Sequence, residues 1–311
     1  MAVTARDPAE YAGYPQHPPR MGFFTDTSIC IGCKACEVAC KEWNAVPEDG
    51  LNLTGMSFDN SVGLGADTWR HVAFIEQIGR PGDRPGDGDG AAPLPSIPAV
   101  SGGPAPGDGA APAGGLTGGP DGGSSRWLMA SDVCKHCTEA GCLDVCPTGA
   151  LFRTEFGTVV VQEDICNGCG YCIPACPFGV IDQRKDDGRA WKCTLCYDRI
   201  GDGMEPACAK ACPTESIQFG PVDELRERAA ERVDALKAAG EAGARLYLED
   251  PVDGVGGGGA FFLLLDEPET YGLPPDPVVS TRHMPEVWRH VGFAALALAA
   301  GVAAACAGGR K

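Results

Sequence analysis

Positive charge is in short supply in this chain. Lys and Arg total 25 against 42 Asp and Glu, and the formal net charge of −17 repels phosphate backbones, which excludes nucleic acid as a partner. No leader is expected either: the first 20 residues of the sequence are polar and Pro-containing, with no apolar core between a basic start and a cleavage site. The expectation is a chain made in a reducing cytosol, where disulfide frameworks are rare. No Gly-rich loop follows a strand and opens a helix, and the glycines at 256–259 lack the helix and spacing that a phosphate cradle needs. No Ser/His/Asp constellation is readable either, so the chain carries no recognisable machinery for transforming a substrate.

What it does have is cysteine, 17 in 311 residues, a length that fits one large or two small domains. Sixteen fall into four quartets. The first is Cys30, Cys33, Cys36 and Cys40, spaced C-x2-C-x2-C-x3-C. The second is Cys134, Cys137, Cys142 and Cys146, with four residues in its middle gap and Pro147 behind it. Cys166, Cys169, Cys172 and Cys176 restore the first spacing and precede Pro177. The fourth, Cys193, Cys196, Cys208 and Cys212, stretches its middle gap to 11 residues and ends in Pro213. Three thiolates in one tight loop can reach three irons of a cubane, while a fourth, held off behind a short helix, reaches the neighbouring cluster, as in two-cluster ferredoxins. Ile31-Gly32 and Asn167-Gly168 suit loops whose backbone approaches a cluster closely. Zinc sites usually present two separated Cys pairs instead. Four such quartets point to four [4Fe–4S] clusters and an electron carrier of α+β class, built from two bacterial-ferredoxin-like modules of two clusters each. His136, inside a quartet that already supplies four thiolates, reads as an imidazole behind the ligands or at the surface. Cys306, left over in an apolar tail, reads as a small apolar residue.

The organisation follows composition. Residues 1–20 read as a flexible tail, and residues 81–125, with 14 Gly and 9 Pro in 45 positions and no aromatic residue, as a disordered insertion. Pro221, acidic Asp223 and Glu224, and Val222, Leu225, Ala229, Val233 and Leu236 on one face predict a packing helix that stops at Gly240, with Glu224 and Arg228 as an i,i+4 pair. Arg245–Leu248 and Ala260–Leu265 predict two strands of a hairpin. The second shows no alternation, so both its faces should be covered, by core or by a partner subunit. His290 to Gly309 contains no charged residue and is followed by Arg310 and Lys311. That is enough for a single membrane span, or for an apolar tail lying in a groove of a membrane partner.

The run from Phe24 to Asn44, Phe-Thr-Asp-Thr-Ser-Ile-Cys-Ile-Gly-Cys-Lys-Ala-Cys-Glu-Val-Ala-Cys-Lys-Glu-Trp-Asn, resembles the iron–sulfur (beta) subunit of respiratory formate dehydrogenases. So do Cys134-Lys-His-Cys137, Cys146-Pro-Thr-Gly149, Cys166-Asn-Gly-Cys-Gly-Tyr-Cys172 and the Thr154–Val160 segment. The likeness covers roughly residues 21–80 and 126–290. The quartets alone are shared with subunits of dimethyl-sulfoxide, polysulfide, nitrate and tetrathionate reductases. The resemblance implies that the first quartet pairs with the fourth and the second with the third. One cluster would then take Cys30, Cys33, Cys36 and Cys212, and its neighbour Cys193, Cys196, Cys208 and Cys40. The other two would take Cys134, Cys137, Cys142 and Cys176, and Cys166, Cys169, Cys172 and Cys146. Module 1 would comprise residues 21–80 and 186–220, with module 2 (126–185) inserted in it, then an extension (221–289) contacting partner subunits and a possible membrane anchor (290–311). The implied partners are a molybdenum or tungsten pterin catalytic subunit, where formate is oxidised, and an integral membrane subunit that reduces quinone. The chain would thus reside at the cell membrane without being an enzyme by itself. The equivalent subunit of a dimethyl-sulfoxide or polysulfide reductase and a free-standing polyferredoxin are the competing readings.

Overall fold

The computed structural model describes residues 7–51, 53–56, 58–78 and 125–308. Most of the insertion expected at 81–125, and the first six residues of the expected tail, lie outside them. Among the described residues four sheets, all small, organise the chain. The central one runs in the order β8-β1-β10-β9, formed by Ile217–Pro221 (β8), Met21–Asp26 (β1), Ala260–Leu264 (β10) and Arg245–Tyr247 (β9). In it β1 is parallel to β10, and the other two pairings are antiparallel. Three two-stranded ladders complete the β structure: β2 (Arg70–Ile78) with β3 (Ser125–Val133), β4 (Leu151–Arg153) with β5 (Val159–Val161), and β6 (Asp182–Gln183) with β7 (Ala190–Trp191).

The unalternating run at 260–264 is explained by its place between β1 and β9: all five residues are 0–1% exposed. Phe261 stacks on Phe24 with ring centroids 5.4 Å apart, and Phe23 meets Phe219 edge-on at 6.0 Å. Burying each such Phe contributes roughly 1.5–3 kcal/mol. β9 and β10 pair as the expected hairpin, although the segment joining them is a long loop and not a tight turn. The helix expected after Pro221 spans Val222–Ala238 and buries Val222, Leu225, Ala229 and Val233 against β1 and β8. Asp223 and Glu224 in its first turn favour the positive end of the helix dipole. Arg228, expected to pair with Glu224, donates to Gln218 instead (2.8 Å). The described part of the expected loose tail is anchored: Asp7 caps a short helix, Pro8–Tyr11, whose Pro8 and Ala9 are buried.

The C-terminal helix Met284–Gly308 is exposed along its apolar stretch. Within it Glu286–Ala307 is long and apolar enough to cross a membrane (mean hydropathy 1.9), and none of that segment is buried. Phe293, Leu296 and Leu298 are each more than 60% exposed, so this is not a core helix.

The β2–β3 ladder pairs Arg70 with Val133 at one end and Ile78 with Ser125 at the other. The insertion therefore bridges adjacent strand ends, where a short turn would serve equally. Excising residues 81–124 and closing the gap with an Asn-Gly turn is expected to leave the denaturant unfolding midpoint unchanged or raised. Loop-closure entropy rises by only about 0.6 kcal/mol per doubling of length, so the gain is about 2 kcal/mol at most. A variant that unfolds at markedly lower denaturant would show that the segment contributes to the fold.

Candidate metal centres

Each set of thiols is built by a loop that the backbone holds in an unusual conformation. After β1, Asp26 is buried and its carboxylate accepts from Ser28 N and from Arg232 Nε, both at 2.9 Å, which fixes the turn Thr27–Ile29 that delivers Cys30. Gly32 then adopts φ +65°, and a Cβ there would collide with the Phe74 ring at 2.6 Å. Lys34, at φ +58°, starts the helix Ala35–Trp43, which carries Cys36 and Cys40. Cys30, Cys33 and Cys36 line one recess together with Cys212, which arrives from the far end of the sequence behind the helix Ala207–Lys210. Ile31, Lys34, Val72, Ser131, Thr214, Ser216 and Ile217 complete its wall. The recess opens to solvent at the side of Cys33, the exposed member of the set.

Cys40 turns away from that recess. Burial pushes its thiol pKa up, and Cys193, Cys208 and Cys196 crowd it further. All four are buried. Leu195 N donates to Sγ of Cys193 (3.3 Å), and the Asn44 amide lies 3.8 Å from Sγ of Cys40 and 3.7 Å from Sγ of Cys196.

A second recess is lined by Cys134, Cys137, Cys142 and Cys176. Its loop is clamped by the glycine run that offered no phosphate cradle: Thr138 N donates to Gly257 O, Gly259 N to His136 O and Ala260 N to Lys135 O, at 3.0–3.2 Å. Burial raises the Cys142 thiol to about 12, with Lys192 opposing and Cys134 and Cys176 adding to the rise. The remaining thiols, Cys146, Cys166, Cys169 and Cys172, also lie near one another. Burial pushes Cys172 up to about 11, and Cys166, Cys169 and Cys146 contribute. Ala190 N donates to Sγ of Cys166 (3.4 Å), and a Cβ on Gly168 (φ +71°) would meet Gly188 O at 2.4 Å.

Every wall thus presents sulfur, the donor set of an iron–sulfur cubane, in which each thiolate binds a different iron. Among the described residues no three His, Cys, Asp or Glu side chains meet closely enough to hold one metal ion. Packing thiols so that each opposes its neighbours' ionisation is unfavourable for the metal-free chain, and cationic iron offsets it.

Pro follows Cys146, Cys176 and Cys212, each of which lies at or just beyond the end of a short helix. Cys40 instead sits inside a helix that continues to Trp43, where Pro would remove a backbone donor. Lys41 occupies the place and donates to the carbonyls of Pro47 and Asp67. His136 is buried, so the surface alternative falls away. Its Nδ1 accepts from Val159 N (3.1 Å), and burial, with Lys192, Arg153 and Arg20 nearby, holds its pKa well below the usual imidazole range.

Three cations escaped the sequence reading: Arg70, Lys135 and Lys192, all at most 2% exposed. Lys135 pairs with Asp132 and lies over the Phe262 ring, while Lys192 donates to the carbonyls of Val159 and Cys193. Lys135 and Lys192 directly adjoin a quartet cysteine, a signal that could have been used. Arg70 is preceded by no such marker.

Two family models, each described as a 4Fe-4S dicluster domain, match residues 29–150 and 125–222. The nitrate-inducible formate dehydrogenase iron–sulfur subunit of Escherichia coli K12 is 38% identical over 260 residues, covering 82% of this chain and 73% of the relative. The formate dehydrogenase iron–sulfur subunit of Haemophilus influenzae is 38% identical over 283 residues, 89% and 75% of the respective chains. A subunit of the anaerobic dimethyl sulfoxide reductase of E. coli K12 is more distant, at 31% over 212 residues (67% and 76%). With 4Fe-4S dicluster domains that fit electron transfer, and with this likeness over most of its length, the chain belongs to the family of formate dehydrogenase iron–sulfur subunits.

Proposed function

We propose that this chain is the electron-transfer subunit of a membrane-associated formate dehydrogenase complex, holding four [4Fe–4S] clusters in two interleaved ferredoxin-like modules. Its ligand sets are Cys30, Cys33, Cys36 and Cys212; Cys193, Cys196, Cys208 and Cys40; Cys134, Cys137, Cys142 and Cys176; and Cys166, Cys169, Cys172 and Cys146. The observation that carries this reading is the recess lined jointly by Cys212 and the first three cysteines of the opening quartet, a grouping that sequence-local pairing does not produce. The module of residues 126–185 is, on this reading, nested between the two halves of the other, 21–80 and 186–220. Clusters bound there would supply one-electron carriers whose potentials depend on charge, hydrogen bonding and exposure.

The four sets form a series. Cys208 acts electrostatically on Cys36, Cys134 on Cys193, and Cys172 on Cys142, so each set adjoins the next. The exposed quartet cysteines, Cys33 and Cys169, belong to the two outer sets, while the inner sets are more deeply enclosed. The outer sets are therefore the ones partners can approach: a molybdenum or tungsten pterin catalytic subunit at one end and an integral membrane, quinone-reducing subunit at the other. The region 221–289, which supplies β9 and β10, would reach those partners from its outward side. Glu286–Ala307, about 33 Å long at 1.5 Å per residue, matches a hydrocarbon core of about 30 Å and would anchor the chain in the membrane.

The complex purified with its partners is expected to reduce an artificial dye when given formate. Oxidation of reduced dye by dimethyl sulfoxide, with no response to formate, would assign the chain to the reductase branch instead. Anaerobic analysis should find about sixteen irons and about sixteen acid-labile sulfides per chain, four cubanes' worth; zinc with little sulfide would overturn the cofactor assignment. The ligand sets are tested by low-temperature electron paramagnetic resonance during redox titration of single variants. Cys212→Ala is expected to disturb the same signal as Cys30→Ala, and Cys40→Ala the signal shared with Cys193. Loss of one signal in both Cys30 and Cys40 variants, with Cys212→Ala sparing it, would refute the interleaving.

A further inference from the structure

Arg70 stands in β2 opposite Val133, buried to 2% exposure, with its guanidinium 4.9 Å above the Phe23 ring. Its Nη2 donates to Sγ of Cys208 (3.3 Å). Its Nη1 donates to the carbonyl of Ser131 (3.1 Å) and reaches the Ser131 hydroxyl (3.4 Å). That hydroxyl lies 3.2 Å from Sγ of Cys36. One side chain and one hydroxyl therefore connect a thiol of the first recess to a thiol of the adjoining set.

Two further facts make this more than packing. Among the described residues no carboxylate forms an ion pair with Arg70. The groups that favour its charge are sulfurs, Cys208 first, then Cys36 and Cys193. A buried guanidinium without an anion is costly, so its natural counter-charge is the anionic, thiolate-bound cluster that those sulfurs would form. Moreover, among the described residues Arg70 is the one cation that hydrogen-bonds a cysteine sulfur; Lys135 and Lys192 spend their ammonium groups on carbonyls and Asp132.

We propose that Arg70, with Ser131, is a shared cationic bridge that raises the reduction potentials of the cluster on Cys36 and the cluster on Cys208 together. The proposal rests on the ligand sets given above. Reduction adds one electron, and so one negative charge, to a cluster that is already anionic. A fixed cation at its sulfurs stabilises the reduced form more than the oxidised one, and hydrogen bonds to the thiolates act in the same direction. Arg keeps its charge across the physiological range, so the effect is a constant of the site. Touching one cluster directly and the other through Ser131, the guanidinium supports both potentials at once.

The test is a redox titration, followed by electron paramagnetic resonance, of the full chain in its complex, with signals assigned from the cysteine variants. Arg70→Gln is expected to keep its iron and sulfide while both signals move to lower potential, each by at least tenfold in the reduction equilibrium, or 59 mV for a one-electron couple. The cluster on Cys169 should stay in place. Arg70→Lys, which keeps the charge, should hold both signals nearer the parent values than Arg70→Gln does. Ser131→Ala should lower the Cys36 signal and leave the Cys208 signal. If Arg70→Gln retains iron and moves neither signal, or only one, the bridge is refuted. If Arg70→Gln loses its clusters, Ser131→Ala decides, and an unmoved Cys36 signal overturns the proposal. Failure of the ligand sets themselves is recognised separately, by Cys30 and Cys40 variants that lose one and the same signal.

Discussion

The crowding of thiols governs this molecule. Cysteines from four separate stretches are gathered at sites where burial and neighbouring sulfurs both resist ionisation. Free thiolates in such numbers would repel one another. Ionising them is favoured when positive charge enters, and iron is the charge that the donor set fits. Much of the surrounding structure follows from this. Asp26 fixes the loop before Cys30, and glycines 257 and 259, with Ala260, grip the loop around Lys135–Thr138. Short helices set the last cysteine of three quartets at a distance from its companions.

The protein supplies some of the missing charge itself. Arg70, Lys135 and Lys192 are buried near the inner sets, each held by a different kind of partner. Because the sets adjoin one another, a cation at one junction acts on two of them. The chain is strongly acidic overall, yet its interior carries cations where its sulfurs are densest.

The cysteine spacing was the most legible feature of the sequence, because a cubane constrains its ligands to a few tight loops. The helix Val222–Ala238 was equally readable, from its Pro, its acidic first turn and the periodic Val222, Leu225, Ala229 and Val233. The strand Ala260–Leu264 announced burial on both faces but not its neighbour: that it lies parallel to β1 is a long-range fact with no local marker. The same limit hid Arg70, since strand alternation says which face a side chain takes and nothing about which sulfurs wait there. The glycine run near 256–259 offers no phosphate cradle, and its role only becomes visible once Lys135 and His136 lie against it. The anchoring of the described N-terminal residues was hidden likewise, because Pro8 and Ala9 are too small to advertise a buried contact.

The ladder of β2 and β3 separates two kinds of tolerance along one hairpin. At one end Arg70 and Ser131 touch sulfur, and a substitution there is felt by the metal sites. At the other end, eight residues on and about 26 Å away at ~3.3 Å per residue, Ile78 faces Ser125 and the chain leaves on its Gly- and Pro-rich excursion. That far end is tied to the body by Gln77, which donates to Asp266, and by Arg126, which donates to the Leu265 carbonyl. A fluorescent label, an affinity tag or a whole folded domain grafted between Ile78 and Ser125 would thus enter the chain about 26 Å along the ladder from Arg70.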